Sequence, residues 1–278
     1  MSVMTTLAQV HAMLPGSALI NISPEAAQLA SISRVGSDSR QIDAKELFVA
    51  LTGDRFDAHD FLSDVAKAGA TGVLISNKDK CPASLPAVCV ADTRIGLGVF
   101  AKAWRANHPI PLALVTGSNG KTTVKEMIAS IFRAAVGEAH TLVTKGNLNN
   151  DIGLPLTLLK LSSTDRLAVV ELGMNHPGET AQLADIAQAN IALINNAQRE
   201  HQEFMATVAA VAQEHSDAIR ALPKHGIAVF PADSEFASVW QKAAAGRKVI
   251  DFVLSSEQIK LTAAVTGKLL SNGQVQID

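Results

Sequence analysis

The sequence predicts an α/β protein in two parts: a small N-terminal α/β domain, then a P-loop-type domain on a mainly parallel sheet, incomplete at the C-terminus. Three observations predict this. The chain has 278 residues, which is about two ordinary domains. His108-Pro109-Ile110-Pro111 interrupts it, and two prolines in three residues force the backbone out of any helix into extended form. From Leu112 onward, short aliphatic runs alternate with longer segments of helical period, the pattern of βαβ units. The domains are therefore drawn at 1–108 and 109–278.

In the first domain, strands are expected at 47–51 (LFVAL), 72–75 (GVLI) and 87–90 (AVCV), each an aliphatic run bounded by turn residues. Phe61, Leu62, Val65 and Ala66 recur at helical spacing between them. Ile95, Leu97, Phe100, Ala101 and Trp104 do so after Thr93, in a helix ending near Asn107. In the second domain, strands are read at LALVTG, LAVVELG (167–173), IALIN (191–195), GIAVF (226–230) and KVIDFV (248–253), with helices from Thr122, near 178–188 and from about 205 to 221. The strand runs are nearly continuous aliphatic stretches, as burial on both faces requires. Ser271-Asn272-Gly273 gives a hairpin signal, and the chain stops inside the following strand candidate.

Composition narrows the function. Hydrophobic residues make up 47% and the formal net charge is -2, so no basic excess exists to attract nucleic acid or an anionic membrane surface. Aromatic residues are 4%, with no tyrosine, which disfavours a base-stacking platform. Cys81 and Cys89 are too few for a disulfide framework or a zinc set and read as buried thiols in a reducing compartment. Pro15 and Gly16 break the apolar N-terminal stretch, so neither a secretory leader nor a membrane span is expected, and the protein is expected in the cytoplasm.

The chemistry concentrates at 116–123, TGSNGKTT, directly after the strand LALV and directly before a helix whose apolar face is read as Val124, Met127, Ile128, Ile131, Phe132 and Ala135. Strand, glycine loop and helix stand in the order a phosphate cradle needs. Gly117, Ser118, Asn119 and Gly120 can turn backbone N–H groups toward phosphate oxygens, and the helix N-terminus adds its dipole. Lys121 can reach the outer phosphates and the Thr122 hydroxyl can ligate magnesium, with Thr123 beside it. The spacing departs from G-x-x-x-x-G-K-[ST], since position 115 is Val and the glycines lie closer together. Glu171 ends the strand LAVVELG, where ligands gather on open α/β sheets, and could hold a metal on the γ-phosphate. His201 follows IALIN by a few residues. From the residues alone His201, His176 and His215 read as structural or surface histidines.

Four separated segments, in order, resemble the Mur ligases, the ATP-dependent amide-bond formers of peptidoglycan synthesis. They are SDSRQIDAKELFVALTGDRFDAHDF (37–61), TGSNGKTTVKEM (116–127), KGNLNNDIGLPLTLL (145–159) and ELGMNHPGET (171–180). Within the family they look most like the members that add D-alanyl-D-alanine to UDP-N-acetylmuramoyl-tripeptide. The resemblance implies ATP and Mg2+ as cofactors and an acyl phosphate formed when a substrate carboxylate attacks the γ-phosphate. It implies a role in cell-wall biogenesis, and with it in cell shape and division. It also implies a cytoplasmic monomer whose partners are small-molecule substrates. Lys121, Glu171 and His201 would be catalytic, with Thr122, Glu171 and His201 at the metal. Asn149, Asn150 and Asn175 would lie near substrate and phosphates. Asp38, Ser39, Arg40, Asp57 and His59 would help seat the UDP-sugar, with Arg40 as the phosphate partner.

Two departures from the family pattern qualify this. His215 stands where members usually carry a lysine that becomes carbamylated and bridges a second magnesium. Magnesium prefers oxygen ligands, so His215 is not expected to ligate it directly. Members also have a third domain holding the incoming amine, so residues 1–278 alone are expected to ligate little or not at all. The alternatives are another Mur-type or folylpolyglutamate ligase, or a non-catalytic fragment that binds nucleotide or UDP-sugar.

Overall fold

The computed structural model describes residues 3–53, 55–199, 205–255, 263–270 and 274–277, in two compact units. His201 and the hairpin signal read at Ser271-Asn272-Gly273 lie outside the described residues. Unit one comprises residues 1–108 and 151–163; unit two comprises 109–150 and 164–278. The chain thus passes between units at 108/109, 150/151 and 163/164, whereas the sequence suggested the first crossing only.

Unit one begins with β1 (Thr5–Thr6), α1 (Leu7–Ala12), β2 (Ala18–Ile20), α2 (Pro24–Leu29), β3 (Ser31–Ile32) and β4 (Arg34–Gly36). It continues with β5 (Glu46–Val49), a 3-10 turn at Ala58–Phe61, α3 (Leu62–Lys67), β6 (Gly72–Ile75), β7 (Ala87–Cys89) and α4 (Thr93–Ala106). A five-stranded sheet runs β2-β7-β6-β5-β4, parallel except for β2 against β7, while β1 and β3 form a separate antiparallel pair. All residues of β5 and β6 are buried, the apolar ones as strands covered on both faces require, and with them Glu46, whose carboxylate accepts the Asp43 N–H and meets Arg34. The Asp92 carboxylate accepts the Arg94 and Ile95 N–H groups and so starts α4; Asn107 ends it before Pro109.

Unit two opens with β8 (Leu112–Thr116), α5 (Lys121–Val136) and β9 (Thr141–Val143). The short α6 (Gly153–Leu158) belongs to unit one, packed against α4, where the Trp104 indole N–H donates to the Leu161 carbonyl at 3.0 Å. Unit two then runs β10 (Leu167–Glu171), α7 (Glu179–Ala187), β11 (Ile191–Ile194), α8 (Val208–Arg220), β12 (Ile227–Pro231), α9 (Ala237–Ala244), β13 (Lys248–Ser255), β14 (Val265–Leu269) and β15 (Val275–Ile277). The sheet order is β15-β14-β13-β12-β11-β8-β10-β9, parallel throughout except for β15. From β8 the chain goes out to the β9 edge, returns through β10 on one side of β8, and then places β11 on the other. This reversal puts the β8–α5 loop at the topological switch point, where α/β sheets bind ligands.

The apolar face expected for α5 needs correction. Val124, Ile128 and Phe132 do pack, with fully buried Ala129, on Val115, Val143 and Val169. Met127 and Ile131 are 62% and 66% exposed and Ala135 is exposed, while Lys125 is 1% exposed on the inward side. The inward stripe thus runs through Val124, Lys125, Ile128, Ala129 and Phe132, and the charged Lys125 is inside while Met127 and Ile131 face outward.

Candidate functional site

The phosphate loop leaves β8 at Gly117, whose φ of +132° belongs to the left-handed region. A Cβ there would stand 3.0 Å from the backbone N and O of Asn196, so glycine is required for both conformation and space. Gly120, at φ +76°, caps α5, and its own added Cβ would meet the Asn195 side-chain nitrogen at 2.8 Å. The loop is braced by the segment after β11, which the sequence reading did not assign. Asn195 Nδ2 and Asn196 Nδ2 both donate to the Asn119 carbonyl, at 2.6 and 3.0 Å. Asn119 N–H returns to Asn196 Oδ1 at 3.0 Å, Asn119 Nδ2 donates to Gln198 Oε1 at 2.6 Å, and Gln198 N–H donates to Ser118 Oγ at 2.8 Å. Asn195 and Asn196 directly follow IALI at the carboxyl end of the sheet, a position that could have flagged them.

Lys121 Nζ donates back to the Gly117 and Ser118 carbonyls at 2.6 and 3.2 Å, so its ammonium lies over its own loop. Thr122 and Thr123 are exposed on the first turn of α5. Below the loop, His215 is buried and its Nδ1 stands 3.2 Å from Thr116 Oγ1. The neighbouring Glu214 carboxylate accepts the Gly178 and Thr180 N–H groups and ties α8 to the start of α7.

On the other flank of β8, Glu171 pairs in register with Val115 and is 2% exposed. Its backbone N–H donates to Thr144 Oγ1 at 3.0 Å, and its Oε1 accepts from Asn149 Nδ2 at 2.8 Å. Its Oε2 is buried without a hydrogen-bond partner. A buried carboxylate oxygen with an open coordination position suits a cation, so the residues present fit a magnesium ion. Among the described residues no three of His, Cys, Asp or Glu gather as a metal set. Asn149 is thus brought to Glu171, a pairing the sequence did not suggest, and its carbonyl also accepts the Gly173 N–H at 2.9 Å. Asn150 follows it at the crossing into unit one. Asn175 lies in the loop after β10, its N–H donating to Glu179 Oε2 at 2.6 Å. There burial works to raise the Glu179 carboxyl, but donation from Asn175 and His176 outweighs it and lowers it.

In unit one, Asp38, Ser39 and Arg40 line a cleft of about 610 Å³ with Ser37, Phe56 and Phe61. Arg40 is 85% exposed and holds Asp38 through Nε and Nη2 at 2.8 and 2.9 Å. That pairing pulls the Asp38 carboxyl down to about 2 and raises the guanidinium. Phe56 and Phe61 are 60% and 44% exposed at the cleft, apolar walls whose role the sequence reading missed.

Asp57 and His59, also expected to help seat the UDP-sugar, are not among the residues lining this cleft and stand beside it. His59 is 2% exposed; its Nδ1 meets Asp57 Oδ1 at 2.6 Å and its Nε2 accepts the Ser76 N–H at 2.9 Å. Asp57 also takes Thr52 Oγ1, the His59 N–H and Lys80 Nζ. Both residues are held by bonds inside unit one, where Asp57 bridges to Thr52 and directly follows Phe56.

A phosphate loop at the switch point of a parallel sheet, flanked by a buried carboxylate with an open oxygen, is the arrangement of a nucleotide-binding α/β enzyme domain. Residues 115–276, more than half of the chain, match the Mur ligase middle domain, and the chain belongs to the Mur ligase family. It is 41% identical over 233 residues to the UDP-N-acetylmuramoyl-tripeptide--D-alanyl-D-alanine ligase of Escherichia coli strain K12, an alignment covering 84% of this chain and 50% of that protein. A crystal structure of MurF from Acinetobacter baumannii superposes with a TM-score of 0.83 at 31% identity, covering 95% of this chain and 55% of the other. The MurF ligase of Thermotoga maritima, crystallised with ADP, gives 0.72 at 26% identity over 84% and 52%. The chain spans about half the length of the curated relatives it matches.

Proposed function

We propose that this chain carries the UDP-substrate and ATP sites of a ligase that joins D-alanyl-D-alanine to UDP-N-acetylmuramoyl-tripeptide in peptidoglycan precursor synthesis. The observation that carries the reading is the braced glycine loop at the end of β8 together with Glu171 at the end of the adjacent strand β10, whose buried Oε2 has no hydrogen-bond partner. In this account ATP binds with its phosphates over the loop N–H groups and the α5 N-terminus, and Lys121 swings from the Gly117 carbonyl to the outer phosphates. Thr122 and Glu171 would hold magnesium, with His201 as a further family position. The ion neutralises charge on the phosphates.

The substrate carboxylate attacks the γ-phosphorus, forming the acyl phosphate and releasing ADP. The amine of the dipeptide then adds to the acyl carbon and inorganic phosphate leaves. The protein's part is largely placement and charge neutralisation. Asn149 orients Glu171, and the Asp38–Arg40 pair in the Phe56/Phe61 cleft would receive the UDP-sugar, the guanidinium engaging its diphosphate.

Calorimetric titration of UDP-N-acetylmuramoyl-tripeptide into residues 1–278 tests the substrate half of the reading. Saturable binding is expected, weakened at least about tenfold by Arg40→Ala, which corresponds to losing one charge-assisted pair. An absence of binding, or equal binding by the variant, contradicts it. Binding without ligation is the outcome expected of residues 1–278 assayed alone.

A further inference from the structure

Lys125 is 1% exposed, on α5 next to Val124 and one turn before Ala129, both of which pack on the sheet. Its Nζ donates to the Thr144 carbonyl at 2.9 Å and to Glu126 Oε1 at 2.5 Å, and Glu126 is itself half exposed. A buried ammonium held by one carbonyl and one solvated carboxylate is costly, and an apolar side chain would pack there at less expense. What the charge grips is informative. Thr144 closes β9 and is completely buried; its N–H meets the Val169 carbonyl at 3.3 Å and its Oγ1 accepts the Glu171 N–H at 3.0 Å. Immediately beyond it, residues 145–150 carry Asn149 back to Glu171 Oε1. One side chain therefore links the phosphate-loop helix, four residues after Lys121, to the strand end that sets both Glu171 and its amide partner.

We propose that Lys125 is a positioning residue for the metal-bearing edge of the nucleotide site. By clamping the Thr144 carbonyl it fixes Glu171 and Asn149 relative to the phosphate loop, so that loop and carboxylate engage one metal–nucleotide complex together. This rests on the ATP reading above. It adds that the loop and the carboxylate are coupled through a buried cation which itself touches neither nucleotide nor metal.

The test compares ADP affinity of residues 1–278 in excess EDTA and in excess Mg2+, for the wild type and for Lys125→Met, which keeps the length and removes the charge. The wild type should bind more tightly with magnesium. The variant should keep metal-free affinity within about threefold, because the loop and its Asn195–Gln198 brace are untouched, and should lose about tenfold or more of the magnesium enhancement, as removal of an outer-shell support does. A folded variant with the full enhancement overturns the proposal. If Lys125→Met does not fold, Lys125→Gln takes its place: it removes the charge and shortens the reach to the Thr144 carbonyl while keeping a polar end, and an unchanged enhancement there overturns the proposal equally. A wild type that binds no nucleotide under either condition overturns the ATP reading and this inference with it, whereas magnesium-enhanced binding retained in the variants overturns the inference alone.

Discussion

At Asp57 burial works to raise the carboxyl, yet hydrogen bonds from Lys80 and from the His59 backbone and ring hold it well below the ordinary range. An acid depressed in the folded state stabilises above its unfolded value, about 3.9, and that contribution is lost as pH falls through the folded value. Thermal melts between about pH 6 and 2 should show Asp57→Asn with a lower Tm near neutrality and a flatter acid limb than wild type. Parallel curves would show that the network adds nothing. His215 allows a second check. Its ring beside Thr116 Oγ1 lies under the phosphate loop, and an imidazole does not replace a carbamate's oxygens. A nucleotide complex grown with magnesium should therefore show no ring nitrogen at about 2.1 Å from the ion, and such a bond would refute the expectation.

Helix α5 shows where sequence periodicity succeeds and where it fails. Its existence and start follow from the glycine loop and the aliphatic spacing, but its orientation does not. Met127 and Ile131 count as apolar in any periodicity reading, while Lys125 counts as exposed, although it takes the interior position by bonding to Thr144. The difference is measurable in denaturant. Ala129→Leu should cost about 1–3 kcal/mol by overpacking a fully buried position, and Met127→Gln should stay within about 0.5 kcal/mol. The reverse order would restore the face read from sequence. Elements that escaped the sequence are short: β9 has three residues, and α6 has six with Pro155 in its first turns. Elements of that length are decided by their neighbours, not by their own pattern.

At the scale of the whole molecule, the parallel sheet was the legible part, because strands covered on both faces must read as unbroken aliphatic runs. The phosphate loop was legible for a related reason: strand, glycine, lysine and helix are contiguous. The unit-one cleft was half legible. Asp38 to Arg40 are one stretch of chain, but Phe56 joins them from a separate segment beside the Asp57–His59 pair, and such a meeting of distant segments is not written in either segment alone. The excursion of 151–163 into unit one was not legible, since it depends on contacts with α4 far away in sequence.

If loop and carboxylate act on one nucleotide, calorimetric titration of ATP with magnesium into residues 1–278 will show it. Saturable binding is expected, abolished by Lys121→Ala and reduced about 10–100-fold by Glu171→Gln only when magnesium is present. Binding indifferent to both substitutions, or no binding by the unaltered chain, would contradict it.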